Sequence, residues 1–155
     1  MAKKFEESGD MLQEEILKKL RKRYTKIVLD HWMNPKNMKK IENPDGYAKF
    51  TGICGDTMEI FLKIEREIIV DCGFLTDGCG TTIACGGMMT EMVKGKRISE
   101  AMTVNEKKIL EALGGLPKED RHCALLTVIT LRNALADYLF NKREPWKRLY
   151  RKSNE

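Results

Sequence analysis

The sequence predicts an α+β fold: a small antiparallel sheet, helices packed on one face of it, and long helices at the N- and C-terminal ends. Apolar and polar residues alternate in TMEIFLKI (57–64), and after a turn at EREI a β-branched run, IIVDCGFLT (68–76), follows. YAKFTG (47–52) predicts a short strand before them. Apolar residues recur at helical spacing on either side of these strands. Strands grouped in this way, with the helices outside them, are typical of α+β domains.

Helices are expected at both ends and after the strands. Apolar spacing before Pro35 predicts one long first helix over about residues 10–33. A second helix is predicted after Cys79, and a shorter one over EKKILEAL (106–113). The last helix is expected to begin near Asp120, whose carboxylate would cap it.

Length and composition indicate one cytoplasmic domain with polar ends. The chain has 155 residues, 42% hydrophobic and 33% charged, which excludes a disordered polyelectrolyte and a membrane protein. No apolar run approaches the roughly 20 residues of a membrane-spanning helix, and the first residues lack the pattern of a secretion signal. We therefore expect an N-terminal helical extension at 1–23, a folded domain at 24–141 and a basic tail at 142–155.

The net charge of +5 comes largely from KKLRKRYTK near the front and NKREPWKRLYRK at the back. Nucleic-acid binding would need such residues on one face with stacking aromatic side chains, and few aromatics interleave here. We favour solvated ends. A docking surface for an acidic protein partner is the alternative.

The residues that carry chemistry lie at the joints between predicted elements. Cys54 and Asp56 precede the second strand, Cys79 precedes a helix, and His122 and Cys123 open the last helix. If these joints converge, three thiols, a carboxylate and an imidazole form a metal site. The N-terminal position of Cys123 and Cys79 on helices is expected to lower the pKa of both thiols, since the helix macrodipole favours thiolate there.

Other reactive side chains receive plainer interpretations. Cys72 lies within a strand and is expected to be a buried apolar residue, as is Cys85 within a helix, although an extra ligand or a resolving thiol is the alternative for Cys85. His31 is expected on the surface or at a helix end, outside the site. Gly86 and Gly87 cost helix stability, which indicates close packing at that point.

Several spaced motifs together resemble the IscU/NifU-type iron–sulfur cluster scaffold proteins. They are, in order, YTKIVLDHWMNPKN, GICGDTMEIFLKI, DGCGTTIA, EMVKGK, EALGGLP and HC, and they cover about residues 24–138. The resemblance implies a non-enzymatic scaffold whose cluster ligands are Cys54, Asp56, Cys79 and Cys123, with His122 as an alternative or additional ligand. It implies a cysteine desulfurase, an iron donor and recipient apoproteins such as ferredoxins as partners. A homodimer is left open.

A ligand set that combines thiolates with a carboxylate affects how firmly such a scaffold would hold its cluster. A carboxylate matches an iron–sulfur core less well than a thiolate, so Asp56 should make the cluster, which we expect to be [2Fe–2S], easier to release. Cys123 is the suspected persulfide acceptor. Zinc can occupy the cluster-free site, and the alternative function is a zinc-bound sulfur acceptor for a desulfurase. The resemblance implies a Leu-Pro-Pro-Val-Lys segment that is read by a dedicated chaperone of the 70-kDa heat-shock class. This chain has LPKED (116–120) there, and its acidic residues disfavour that chaperone as a partner.

Overall fold

The structure, a computed structural model, describes residues 2–146, with side chains from Gly9 onward. Most of the predicted basic tail therefore lies outside the described residues. The secondary structure, in chain order, is α1 (Ala2–Arg23), α2 (Lys26–Met33), β1 (Gly46–Thr51), β2 (Thr57–Glu65), β3 (Ile68–Thr76), α3 (Gly80–Val93), α4 (Ile98–Ala101), α5 (Glu106–Leu113), a 3-10 turn (Lys118–Asp120) and α6 (His122–Arg143).

The three strands form one antiparallel sheet in the order β1-β2-β3, which confirms the predicted sheet. The turn between β2 and β3 places Arg66 at φ 53° and Glu67 at φ 66°. Two successive residues with positive φ are typical of the hairpin turns whose twist matches that of the strands. The sequence EREI thus forms the turn expected of it.

Helices α3 and α6 cover one face of the sheet and complete the core. Ile60 and Phe74, paired across β2 and β3, are fully buried, as are Met89 of α3 and Leu131 of α6. Burying such side chains supplies the main favourable free energy of folding. The helices therefore pack on one face, as the α+β prediction requires.

The predicted long first helix is wrong, because the chain breaks it at Thr25. This residue is extended (φ −68°, ψ 161°), and its hydroxyl oxygen accepts a hydrogen bond from the backbone N–H of Val28 at 3.2 Å. The same hydroxyl donates to the carbonyl of Leu113 at 2.5 Å. A capping residue tied to a distant carbonyl starts a new helix here, so α1 and α2 are separate.

The predicted cap of the last helix is also wrong. Helix α6 begins at His122, and Arg121 at its N-cap makes no side-chain capping bond. Asp120 instead accepts a hydrogen bond from the hydroxyl of Tyr24 at 2.9 Å and lies 3.7 Å from the guanidinium of Arg23. Its carboxylate ties the end of α1 to the start of α6.

One helical stretch, Lys118–Arg143, is long and apolar enough to cross a membrane by length and composition. Half of its apolar window is buried inside the protein, and Leu131 and Leu135 are fully buried. The apolar character of α6 is therefore explained by its place in the core.

Candidate metal centre

Two of the predicted joints place potential ligand atoms close together. Cys54 and Asp56 lie in the loop between β1 and β2, and His122 is the first residue of α6. A ligand atom from each of these three side chains lies within 4.8 Å of the other two. A thiolate, a carboxylate and an imidazole at this spacing can bind one metal ion after small adjustments.

Two threonine hydroxyls connect these residues to the remaining thiols. The hydroxyl of Thr82 lies 3.2 Å from a carboxylate oxygen of Asp56 and 3.3 Å from the sulfur of Cys123. The hydroxyl of Thr81 lies 2.9 Å from the sulfur of Cys79 and 3.4 Å from that of Cys123.

The sulfur of Cys123 also lies 3.7 Å from Nε2 of His122. Through this contact and the two hydroxyls, all five sequence-predicted residues belong to one connected cluster.

Glycines allow the close approach of the loop that carries Cys54 and Asp56. Gly55 has φ +88°, a left-handed conformation that glycine adopts without strain. A Cβ atom at Gly78 would lie 2.9 Å from the carboxylate of Asp56 and 2.8 Å from Thr82, so a side chain there would displace the site. Gly80 is different, because the ring of Trp32 fills the space beside it. The lack of a side chain at Gly80 lets the ring of Trp32 in α2 pack against the start of α3.

The pKa values of two thiols in the cluster move in opposite directions. Burial raises the pKa of Cys79, but hydrogen bonds from the Thr81 hydroxyl and from the backbone N–H groups of Thr82 and Thr81 outweigh it, so the net pKa is lowered. Burial, together with the nearby charges of Cys79 and Asp120, raises the pKa of Cys123 more than the two hydroxyls lower it. The expected acidification is thus confirmed for Cys79 and wrong for Cys123, which is buried although it lies in the first turn of α6.

The five candidate donor side chains also differ in their exposure to solvent. Cys54, Cys79 and His122 are exposed and Asp56 is half-buried, whereas Cys123 is buried. Ile53, next to Cys54, is fully exposed at the rim. The site is therefore open to solvent at Cys54, Cys79 and His122 and closed at Cys123.

The two thiols predicted to be inert lie in the core. Cys72 is fully buried, and burial raises its pKa to about 12. Burial also raises the pKa of Cys85 well above its usual value. The prediction of close packing is confirmed next to Cys85, since a Cβ atom at Gly86 would lie 2.5 Å from the ring of Phe74, and one at Gly87 2.8 Å from Nδ1 of His31.

The expectation that His31 is a surface or capping residue is wrong. It is 3% exposed between α2 and α3, and its Nε2 lies 3.4 Å from the carboxylate of Glu91. The contact with Gly87 explains the burial, since only a residue without a side chain lets the imidazole approach α3 this closely. His31 remains outside the cluster of the five predicted residues.

Sequence reasoning missed Thr81 and Thr82. Both are buried, and their hydroxyls hydrogen-bond to Cys79 and Asp56, respectively. The available signal was their position, because hydroxyl residues two and three places after an N-cap cysteine lie in the first turn of the helix, near that thiol.

Comparison with known proteins agrees with the geometry. The model of the NifU-like N terminal domain matches residues 23–145. Iron-sulfur cluster assembly scaffold protein IscU 1 of Archaeoglobus fulgidus is 45% identical over 116 residues, covering 74% of this chain and 76% of that protein. The IscU scaffold protein of Aquifex aeolicus is 43% identical over 122 residues, covering 77% and 78%.

A solved structure shares the fold. The crystal structure of a nitrogen-fixing NifU-like protein (N-terminal) from Brucella abortus superposes with a TM-score of 0.59 at 20% identity, covering 74% of this chain and 92% of that one. The match of the domain model over most of the chain, together with relatives above 40% identity, shows the family. The chain belongs to the NifU-like N-terminal domain family.

Proposed function

We propose that this protein is a scaffold on which an iron–sulfur cluster is assembled and from which it is passed to apoproteins. The observation that carries the proposal is the connected, partly open cluster of three thiols, a carboxylate and an imidazole. The relatives named as iron–sulfur cluster assembly scaffold proteins support the same role. In this proposal the chain holds and transfers cargo rather than turning over a substrate.

The donor set suits temporary binding. Thiolates are soft ligands matched to iron–sulfur cores, and permanent clusters are usually held by four of them. Here Cys54, Cys79 and Cys123 supply three, and Asp56 or His122 supplies the fourth. Four protein ligands are the number that a [2Fe–2S] cluster needs, and this nuclearity is the one we propose. The harder oxygen ligand exchanges more readily, so one corner of the cluster is the natural point of release.

Sulfur delivery requires a thiolate that can reach a persulfide on a cysteine desulfurase. The scaffold thiolate attacks the outer sulfur, the S–S bond of the enzyme persulfide breaks, and the enzyme thiolate leaves. We retain Cys123 as the proposed acceptor. Because its thiol is buried and its pKa is raised, acceptance there requires a local movement that exposes the sulfur. Cys79, exposed and with a lowered pKa, is the competing acceptor.

Mass spectrometry separates these two acceptors. The metal-free protein is incubated with a desulfurase and cysteine, and the thiol that carries the added sulfur is mapped in wild type, Cys123→Ser and Cys79→Ser. Acceptance at Cys123 predicts that Cys123→Ser removes the added sulfur and that Cys79→Ser retains it. The reverse pattern assigns the first transfer to Cys79.

The function itself is tested by anaerobic reconstitution with iron, cysteine and a desulfurase, followed by transfer to an apo-ferredoxin. We expect visible absorbance of a cluster and its appearance on the ferredoxin. Cys72→Ala, which changes a core thiol, should retain cluster formation if it folds. A protein that binds zinc and accepts sulfur but never forms a transferable cluster would instead be the zinc-bound sulfur acceptor.

Replacement of the carboxylate tests the release argument. In Asp56→Ala we expect a longer cluster lifetime and slower transfer to the ferredoxin, because the readily exchanging ligand is gone. Asp30→Ala, at an exposed aspartate of α2, serves as the control and should behave as wild type. A variant that loses its cluster faster than wild type would contradict the argument.

A cytoplasmic location suits this proposal. All five cysteines are unpaired. Thiols remain reduced in that compartment and are then available as ligands.

A further inference from the structure

Helix α1 separates its charges along its length. After Lys3 and Lys4 at the start of the helix, every charged residue from Glu6 to Glu15 is acidic, and every charged residue from Lys18 to Arg23 is basic. The two blocks lie within one helix of 22 residues, about 33 Å long. A helix with an acidic half and a basic half is complementary to an antiparallel copy of itself.

An apolar stripe runs along the same helix and is largely uncovered. Leu12, Ile16 and Leu20 are four residues apart and therefore lie on one side. Leu12 is 62% exposed and Ile16 51% exposed, so the rest of the domain leaves much of the stripe in solvent. Within the described residues, the ion pairs of α1 are those of Arg23 with Glu119 and Asp120, at the end next to the domain.

We propose that α1 is a dimerisation helix, which pairs antiparallel with α1 of a second copy of this chain. In a two-fold arrangement centred near Ile16, that side chain meets its own copy, and Leu12 of each chain meets Leu20 of the other. The acidic half of each helix then lies against the basic half of its partner. In the parallel arrangement, like charges would face each other and repel.

The choice of a second copy as the occupant follows from the charges. A separate acidic protein would pair with the basic half and be repelled by the acidic half, and the apolar stripe crosses both halves. Burial of the stripe supplies the attraction, whereas the charges fix the direction. The helix lies almost wholly before the residues that match the NifU-like domain model, so the proposed contact is additional to the scaffold site.

Sedimentation velocity on the full chain tests the proposal. The protein is kept reduced and metal-free with a chelator, so that a cluster cannot bridge two chains. We expect a concentration-dependent species of twice the 17.8 kDa chain mass. Ile16→Lys should raise the dimer dissociation constant by roughly a hundredfold or more, because two like charges then meet in an apolar contact.

Met11→Lys is the matched control. Met11 is 69% exposed and lies about 140° around the helix from Ile16, away from the stripe. It introduces the same charge into the same helix and should leave the dimer nearly unchanged. Circular dichroism checks that both variants retain the helix content of wild type.

A mixing experiment tests the antiparallel charge pairing directly. The first variant replaces basic residues by acidic ones: Lys18→Glu, Lys19→Glu and Lys22→Glu. The second variant replaces acidic residues by basic ones: Asp10→Lys, Glu14→Lys and Glu15→Lys. Each alone should be monomeric, and an equimolar mixture should dimerise. A wild-type chain that stays monomeric throughout, a dimer that survives Ile16→Lys, or a mixture that remains monomeric would overturn the proposal.

Discussion

Thr82→Val should weaken the connection between the β1–β2 loop and the helices. The hydroxyl of Thr82 is fully buried and lies within 3.3 Å of both the Asp56 carboxylate and the Cys123 sulfur. A hydroxyl carries one proton, so it donates to one of these at a time and its loss removes one charge-assisted bond when Asp56 accepts. Valine has nearly the same shape, so the change acts on this bond rather than on the packing.

The magnitude follows from two opposing contributions. A hydrogen bond to a charged group contributes about 1.5–3 kcal/mol to stability, and the added methyl group returns roughly 0.8 kcal/mol on burial. Asp56 is half-exposed and can turn to water, which places the expected loss near the lower limit. We expect a loss of about 1 kcal/mol, which for a chain of this size lowers Tm by about 3 °C.

The assay is thermal unfolding of the metal-free protein together with amide hydrogen exchange of the β1–β2 loop. Thr82→Ser keeps the hydroxyl and should keep the exchange rates of wild type. Thr130→Val is the matched control, since that buried threonine donates to the Leu126 carbonyl within α6, away from the loop. If Thr82→Val left both Tm and loop exchange as in wild type, the hydroxyl would not connect the loop to the helices.

Further predictions concern thiol reactivity, pH dependence and backbone geometry. In the metal-free protein, iodoacetamide should modify Cys79 faster than Cys123, because the lowered pKa of Cys79 leaves more thiolate at a pH below the usual thiol pKa. Cys72 should react only when the protein unfolds. Peptide mapping that finds Cys123 modified first would contradict this order. Asp71→Asn should be less stable than wild type at neutral pH. Burial raises the pKa of Asp71, but hydrogen bonds from Lys39 and from the backbone N–H of Cys72 lower it by more, so the net pKa is lowered. The contribution of Asp71 to folding stability is therefore present above the ordinary carboxyl pKa and is lost as pH falls through the pKa of the folded state. Chemical denaturation across the acid range checks this, and a stability gap that persists unchanged in acid would refute it. Gly114→Ala should lower stability by about 1–2 kcal/mol in the same assay, because the residue after α5 has φ +79°; an unchanged midpoint would show that strain there is relieved.

The sequence predicted those elements whose signal is local. Alternation in β2 and the apolar spacing of α3 and α6 depend on neighbouring residues, and these elements lie where expected. The break at Thr25 could not be predicted from periodicity, because the apolar spacing continues through it. It depends on a bond from Thr25 to the Leu113 carbonyl, 88 residues away in the chain.

For the site, the sequence predicted which residues lie together but not all of their properties. The sequence predicted that the five candidate residues meet, since element ends that converge bring their side chains together, and the structure places them in one cluster. Their role as ligands stays a prediction. The pKa of Cys123 could not be predicted, because the helix-terminus argument gives one favourable contribution and only the packed structure gives the larger burial contribution. Asp120 was mistaken for a cap for a related reason, since its partner Tyr24 is distant in the chain.

The donors are divided between a rigid part of the fold and a single loop. Cys79, Cys123 and His122 lie at the starts of α3 and α6, helices whose inner faces form the core, so moving them would disturb the buried packing. Cys54 and Asp56 come from a loop closed by the bond from Gly52 N–H to the Asp56 carbonyl at 2.9 Å and attached to α3 through the Thr82 hydroxyl. Displacing the loop breaks few contacts, whereas displacing the helices breaks many. If these residues hold a cluster as we propose, this division would let Asp56 and Cys54 move away with their loop while the helices and the core stay intact.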